Sequence, residues 1–251
     1  MNKQAKIARD KVLRKIGKAN QSYDLINEGD KILMALSGGV DSFVLLDSIA
    51  SRLKYLPIHY TVQAIHVQVE NLPIETDVNA IQTICDNLKI PLHIEKTTVF
   101  NHKENNKSTC FPCSWQKRKV IFKKTKELNF NKVAFGHHLD DSLETLMMNM
   151  VHHAEISSIP PKVYMKKGDI ELIRPLILLS EDEVKAYAEA QKIYKAEKEC
   201  PFEDRSQRKS FKEIIETIGN MDKSAKLNMF NSMSKIITEY LPPERNSNRN
   251  D

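Results

Sequence analysis

The chain has 251 residues, 41% of them hydrophobic, and a formal net charge of +5, enough to bury a core in one domain with an appended element or in two small ones. No apolar run approaches the roughly 18 to 20 residues of a membrane span, and Met1-Asn-Lys-Gln-Ala-Lys6 leads into a charged segment rather than a secretory signal, so a cytoplasmic protein with no membrane partner is expected. Four cysteines are too few for a disulfide scaffold.

In chain order, residues 3–20 read as a basic amphipathic helix with Ile7, Val12, Leu13 and Ile16 inward, followed by a turn at Glu28-Gly29-Asp30. Lys31 to Leu36 is a short, nearly continuous apolar run, as in a strand covered on both faces, and residues 41–50 follow with helical periodicity. The pattern repeats with a strand over 60–67, a helix over 75–88 and a strand over 92–99. A loop holding Cys110 and Cys113 then leads into a helix from about Ser114 to Leu128, a strand over 132–135 and a helix over 140–153. Residues 157–170 look irregular or hairpin-like, and 170–179 include a further short strand. Ser180 and Glu183 have capping-box spacing at the start of a helix over 181–192, and helical patterns continue through 211–219 and 225–240. Alternating β and α units predict an α/β fold, a doubly wound parallel sheet with helices on both faces. The expected organisation is a basic helix in 1–29, the α/β domain in 30–180, a helical element in 181–241 and a disordered tail in 242–251.

Residues 37–42 read Ser-Gly-Gly-Val-Asp-Ser at the end of the first strand. Such a loop turns backbone N–H groups, two hydroxyls and a helix N-terminus toward one point, and Ser37, Gly38, Gly39 and Ser42 are the expected phosphate contacts. Asp41 would repel phosphate unless a cation lies between them, so the loop predicts a nucleotide with Mg²⁺. The lysine of a Walker A loop is missing. Ligands of doubly wound sheets bind at the carboxyl ends of the strands. Gly136 and His137 at the end of the fourth strand, and Asp141 in the next helix, are therefore expected to join the nucleotide site.

Charge is unevenly placed. Residues 1–18 hold seven Lys or Arg against Asp10, and residues 103–132 hold nine against Glu104 and Glu127, so the rest of the chain is net acidic. Two solvated helix faces or a polyanion-binding surface would look alike here. The functional reading assigns Lys117, Arg118, Lys119, Lys123 and Lys124 to nucleic acid, with Trp115 either a stacking or a core residue.

Cys110-Phe-Pro-Cys113 and the distant Cys200 supply three thiols, and Cys85 falls within an amphipathic helix as a core residue. By residue chemistry they suit zinc with His102, His137 or His138 as fourth ligand, an iron–sulfur cluster with one open iron, or a redox thiol pair.

The loop at Ser37–Ser42 resembles the PP-loop of the ATP pyrophosphatases, a group that includes GMP synthetase, NAD synthetase, lysidine synthetase and tRNA thiolation enzymes. From about Lys11 to Phe211 the chain is similar to the tRNA 2-thiocytidine synthetase family. The likeness rests on Asn27-Glu-Gly-Asp30, the PP-loop, Cys110-x-x-Cys113, Gly136-His-His-Leu-Asp-Asp-Ser-Leu-Glu-Thr145, Ile173-Arg-Pro-Leu176 and Cys200. The resemblance implies ATP and Mg²⁺ at the PP-loop, with Asp41 as the metal's carboxylate. It also implies a [4Fe–4S] cluster on Cys110, Cys113 and Cys200, and thiolation of a tRNA cytidine. ATP would adenylate the C2 oxygen, and sulfide on the open iron, delivered by a cysteine desulfurase or as free sulfide, would displace AMP. A homodimer is compatible with it. Two positions depart from the family pattern: Val40 stands where Lys is frequent, and Cys200 is followed by Pro-Phe-Glu203 rather than by a second cysteine. The rival readings are an amine ligase of lysidine type with structural zinc, and a noncatalytic RNA-binding or redox-sensing protein.

Overall fold

The computed structural model describes residues 3–53, 58–99, 110–166, 168–196 and 208–242. The N-terminal helix α1 (Lys3–Tyr23) leads into β1 (Lys31–Leu36), α2 (Val40–Leu53), β2 (Thr61–Val69), α3 (Val78–Leu88) and β3 (Leu92–Thr97). Next come α4 (Cys110–Glu127), β4 (Lys132–Ala134) and α5 (Leu139–His153). A hairpin of β5 (Lys162–Met165) and β6 (Ile170–Ile173) precedes α6 (Glu181–Gln191), α7 (Arg208–Met221) and α8 (Ala225–Ser232).

The six strands form one sheet in the order β3-β2-β1-β4-β6-β5. All pairings are parallel except that of β5 with β6. Strand order grows one way from β1 through β2 to β3, then restarts on the other side of β1 with β4, which puts the topological switch point between β1 and β4. Strand β1 is central and its last five residues are buried. Ile32, Met34 and Leu36 pack into the larger core with α2, α5 and α6, while Leu33 and Ala35 face the smaller one with Ile121 of α4. Alternation on a two-sided sheet is what makes the run apolar throughout. At its last residue, the buried His66 of β2 holds Leu36, its Nδ1 lying 2.8 Å from the Leu36 carbonyl oxygen.

The opposite end of the sheet is tied by a buried cation. Lys132 Nζ lies 2.8 Å from Asp30 and 3.0 Å from Glu171, and donates to the Leu25 carbonyl at 2.8 Å. Its place among the surface cations of residues 103–132 is thus corrected: removing one partner of such a buried pair typically costs about 3–5 kcal/mol, so the charge is used internally.

Three other expectations change. Ile7 is 58% exposed, because the buried stripe of α1 is Val12, Ile16 and Ala19 at spacings of four and three, and this stripe stops short of the first turn. The segment with Cys110 and Cys113 is the first turn of α4 rather than a loop. Pro112 is accommodated there because first-turn N–H groups have no intrahelical acceptor. Helix α8 ends at Ser232 instead of reaching Tyr240. The Ser232 and Ser234 hydroxyls donate to the carbonyls of Met229 and Asn231, offering the backbone a turn in place of another helical turn. The expected tail falls almost wholly outside the described residues.

Helices α1, α6, α7 and α8 contribute Ile16, Val184, Ile215 and Phe230 to the same core as β1 and α5. Among the described residues no helix is long and apolar enough to cross a membrane.

Candidate nucleotide and RNA site

The loop after β1 is held by its own side chains. The Ser37 hydroxyl accepts from the Gly39 N–H at 3.1 Å, the Ser42 hydroxyl donates to the Gly39 carbonyl at 2.7 Å, and the two hydroxyls lie 3.4 Å apart. Gly38 takes φ +97°, a conformation most side chains resist. Helix α2 begins at Val40, so its N-terminal N–H groups face the loop and favour an anion there.

The loop after β4 meets this one. A Cβ on Gly136 would sit 3.0 Å from the carbonyl carbon and oxygen of Asp41 and 3.1 Å from the Ser42 nitrogen, so a side chain there would have to push the Asp41 backbone aside by a few tenths of an ångström. His137 stacks on Phe135, with ring centroids 5.7 Å apart. At the start of α5 the Asp141 carboxylate accepts from the His138 N–H at 2.9 Å. The buried imidazole of His138 lies 3.5 Å from Asp141 and 4.0 Å from Asp41, and so stands between the two carboxylates of the site. About half of the Asp41 side chain, 49%, is open toward the cavity. Crowding of the rest still raises its pKa by desolvation, with His138 opposing the shift and Asp141 adding to it. A bound cation would relieve that cost, which is how a carboxylate beside a phosphate nest fits Mg²⁺.

These groups line one cavity of about 260 Å³. Gly38 and Gly39 shape the first loop without lining the cavity, whereas Ser37, Asp41, Ser42, Gly136, His137 and Asp141 line it from the two loops and α5. Opposite them are Ser114, Lys117 and Arg118 of α4. The sequence marked Lys117 and Arg118 as RNA contacts but carried no sign that they would face the phosphate loop. Their spacing from Ser114 and Ile121 shows that one helical face carries them all, and the packing of Ile121 on the sheet sets which face that is.

Adjacent acidic residues have different fates. Asp140 is buried beneath the site, where it accepts from the Glu181 N–H at 2.8 Å and pairs with Lys226 at 2.5 Å. It joins α5 to α6 and α8, whereas Asp141 faces the cavity. The buried Arg174 guanidinium donates to the Pro160 carbonyl at 2.5 Å. Burial, with Arg118 nearby, pushes its pKa down to about 10.

Lys124 is committed to Glu95 of β3 at 2.7 Å, and Lys123 lies 3.7 Å from Glu127 on an exposed surface. Lys119 lies over the half-exposed Trp115, 5.4 Å from the ring centroid, which places that tryptophan outside the core.

Cys110 is exposed and Cys113 half-buried, three residues apart on the first turn of α4, and Cys85 is buried as expected. A helix N-terminus followed by Lys117 and Arg118 favours thiolates, so the pair suits a thiolate-held group. Cys200 and His102 lie outside the described residues. The chain leading toward Cys200 is anchored at the site: the Ala196 N–H donates to Gly38 at 2.8 Å, and its carbonyl accepts from Asp77 at 2.8 Å. Sequence pattern offered no signal for that tether. Among the described residues no three His, Cys, Asp or Glu side chains gather in a metal-binding group, so neither His137 nor His138 completes a zinc site with the two cysteines there.

A phosphate-binding loop after the central strand, met by a second loop at the switch point of a parallel sheet, defines a nucleotide-binding α/β protein of doubly wound topology. The family model described as a PP-loop domain matches residues 8–216, and the chain belongs to the PP-loop family of enzymes. Among its relatives is a tRNA-cytidine(32) 2-sulfurtransferase of Janthinobacterium sp. (strain Marseille), 30% identical over 92% of this chain and 74% of the relative. Another protein of that name, from Idiomarina loihiensis, is 30% identical over 92% of this chain and 78% of its own length. The U34-tRNA thiolase NcsA from Methanococcus maripaludis, solved with its [4Fe–4S] cluster, shares the fold with a TM-score of 0.77 at 23% identity. That match covers 96% of this chain and 82% of NcsA.

Proposed function

We propose that this chain is an ATP-dependent tRNA-cytidine 2-sulfurtransferase. The observation that carries the reading is the shared cavity. The phosphate loop lies on one side and, on the other, the face of the helix whose first turn holds Cys110 and Cys113. The names of the sulfurtransferase relatives point to the substrate.

In this reading the loop N–H groups, the Ser37 and Ser42 hydroxyls and the α2 N-terminus hold the phosphates of ATP, and Asp41 holds Mg²⁺. The cytidine C2 oxygen attacks the α-phosphorus, the α–β anhydride bond breaks and pyrophosphate leaves. Sulfide then adds to C2, the C2–O bond breaks and AMP departs. Overall, tRNA, ATP and sulfide give thiolated tRNA, AMP and pyrophosphate. Lys117 and Arg118 face the phosphates from α4 and offset charge on the departing groups. Lys119 and Lys123 face outward toward the RNA backbone. Cys110 and Cys113 together with Cys200 would hold a [4Fe–4S] cluster, which when bound supplies an iron without a protein thiolate for the incoming sulfide. The sulfur source is free sulfide, or sulfide released when a thiol reductant cleaves the persulfide of a cysteine desulfurase.

The test combines metal analysis with product analysis on protein purified and reconstituted without oxygen. About four iron and four sulfide per chain are expected, lost in Cys110→Ser, Cys113→Ser and Cys200→Ser. Mass spectrometry should find 2-thiocytidine in tRNA only when ATP and sulfide are both present. Stoichiometric zinc, with tRNA modified by an amine and not by sulfur, would sink the proposal in favour of a ligase.

A further inference from the structure

Helix α4 has two neighbouring faces. Ser114, Lys117, Arg118 and Ile121 line the cavity. Around the helix from them, Phe111 and Trp115 stand four residues apart, 74% and 52% exposed, with the Lys119 ammonium over the indole. Single exposed apolar side chains are ordinary, but two large rings one turn apart beside a binding cavity form a patch that asks for a partner. The charge around it restricts the choice. Helix α4 carries six cations against the single carboxylate of Glu127 at its far end, so a polyanion is drawn to this surface and a cationic partner repelled. An unpaired nucleotide combines an exposed π face with a negative backbone, whereas a duplex hides its base faces.

We propose that Trp115, flanked by Phe111, is a stacking platform for an unpaired RNA base adjoining the one that enters the cavity. Lys119 turns from the indole to the neighbouring phosphate as that base arrives. The identity of the RNA rests on the sulfurtransferase reading, but the platform has its own signal. Trp115 is the chain's single tryptophan, so intrinsic fluorescence reports on this ring alone.

The experiment titrates the full chain, without ATP or a sulfur donor, with an RNA hairpin carrying an unpaired anticodon-type loop and with the same strand annealed to its complement. The hairpin should quench Trp115 emission and the duplex should not. Binding of labelled hairpin should weaken on the order of tenfold in Trp115→Ala and be retained in Trp115→Phe. Because no turnover is measured, a protein that fails to thiolate RNA can still show the platform, and an active thiolase without it would leave the emission unchanged. The proposal is overturned if hairpin fails to bind, or binds with emission unchanged and Trp115→Ala equal to the parent. Equal quenching by duplex or by polyglutamate would also overturn it, since the surface would then read charge alone.

Discussion

A methyl group at Gly136 would fall 3.0 Å from the Asp41 backbone, so a side chain there pushes the two loops of the site apart. Gly136→Ala should leave the fold intact and lower the rate of ATP-dependent pyrophosphate release on the order of tenfold, because a shift of a few tenths of an ångström in the Asp41 loop is smaller than the roughly 1 Å misplacement that costs about a hundredfold. An unchanged rate in a release assay would show that the loops do not depend on this close approach. The glycine was visible in the sequence as part of the Gly136-His-His string, but the reason for it was not, since Asp41 lies far away along the chain. The same holds for Asp140 and Asp141. The sequence pattern singled out Asp141 for the site but said nothing of the fate of Asp140, which Lys226 and the Glu181 N–H occupy while Asp141 faces the cavity. Only the docking of α6 and α8 shows what Asp140 does.

At the scale of elements, α6 shows how far local rules reach. The Ser180 hydroxyl accepts from the Glu183 N–H at 3.3 Å, and the Glu183 carboxylate accepts from the Ser180 N–H at 2.9 Å, the capping box read from the sequence. Beyond local pattern, Lys15 and Lys11 of α1 reach that same carboxylate at 2.6 and 3.0 Å. Burial by itself would raise the Glu183 pKa, but the Lys15, Ser180 and Lys11 hydrogen bonds outweigh it and hold it below the ordinary 4.5. A depressed carboxyl contributes stability that is present above its unfolded pKa and lost as pH falls through the folded one. Glu183→Gln should therefore cost about 1–2 kcal/mol at neutral pH, and the gap from the parent should close as pH drops below 4.5. Chemical denaturation across pH tests this, and a gap that is the same at all pH values would mean packing rather than charge is responsible. Helix α4 was the less legible element. Pro112 between two cysteines suggested a loop, whereas a first helical turn tolerates proline equally well, and the choice changes which way Cys110 and Cys113 point.

For the whole molecule, the basic bias divides into an internal and an external part. Lys132 and Lys124 neutralise Asp30, Glu171 and Glu95 within the fold, and Lys117, Lys119 and Lys123 remain along the outer and cavity-facing sides of α4. Replacing Lys119 and Lys123 by alanine should lower tRNA affinity and reduce the salt slope of binding by about one for each phosphate these lysines neutralise. Lys124→Ala should leave the slope as it was. A filter-binding series in rising salt checks both, and an unaltered slope in the double variant would remove the outer side of α4 from the RNA interface. The strand and helix alternation, the phosphate loop and the family likeness were determined by the sequence by itself, because β and α periodicities, glycines at tight turns and capping pairs act over a few residues. Only the tertiary structure decided which side of β1 received β4, that Lys117 and Arg118 face Asp41 across one cavity, and that Ala196 is tied to Gly38. Those relations join residues remote in the chain, and they follow from how the apolar faces of the sheet and helices are buried together.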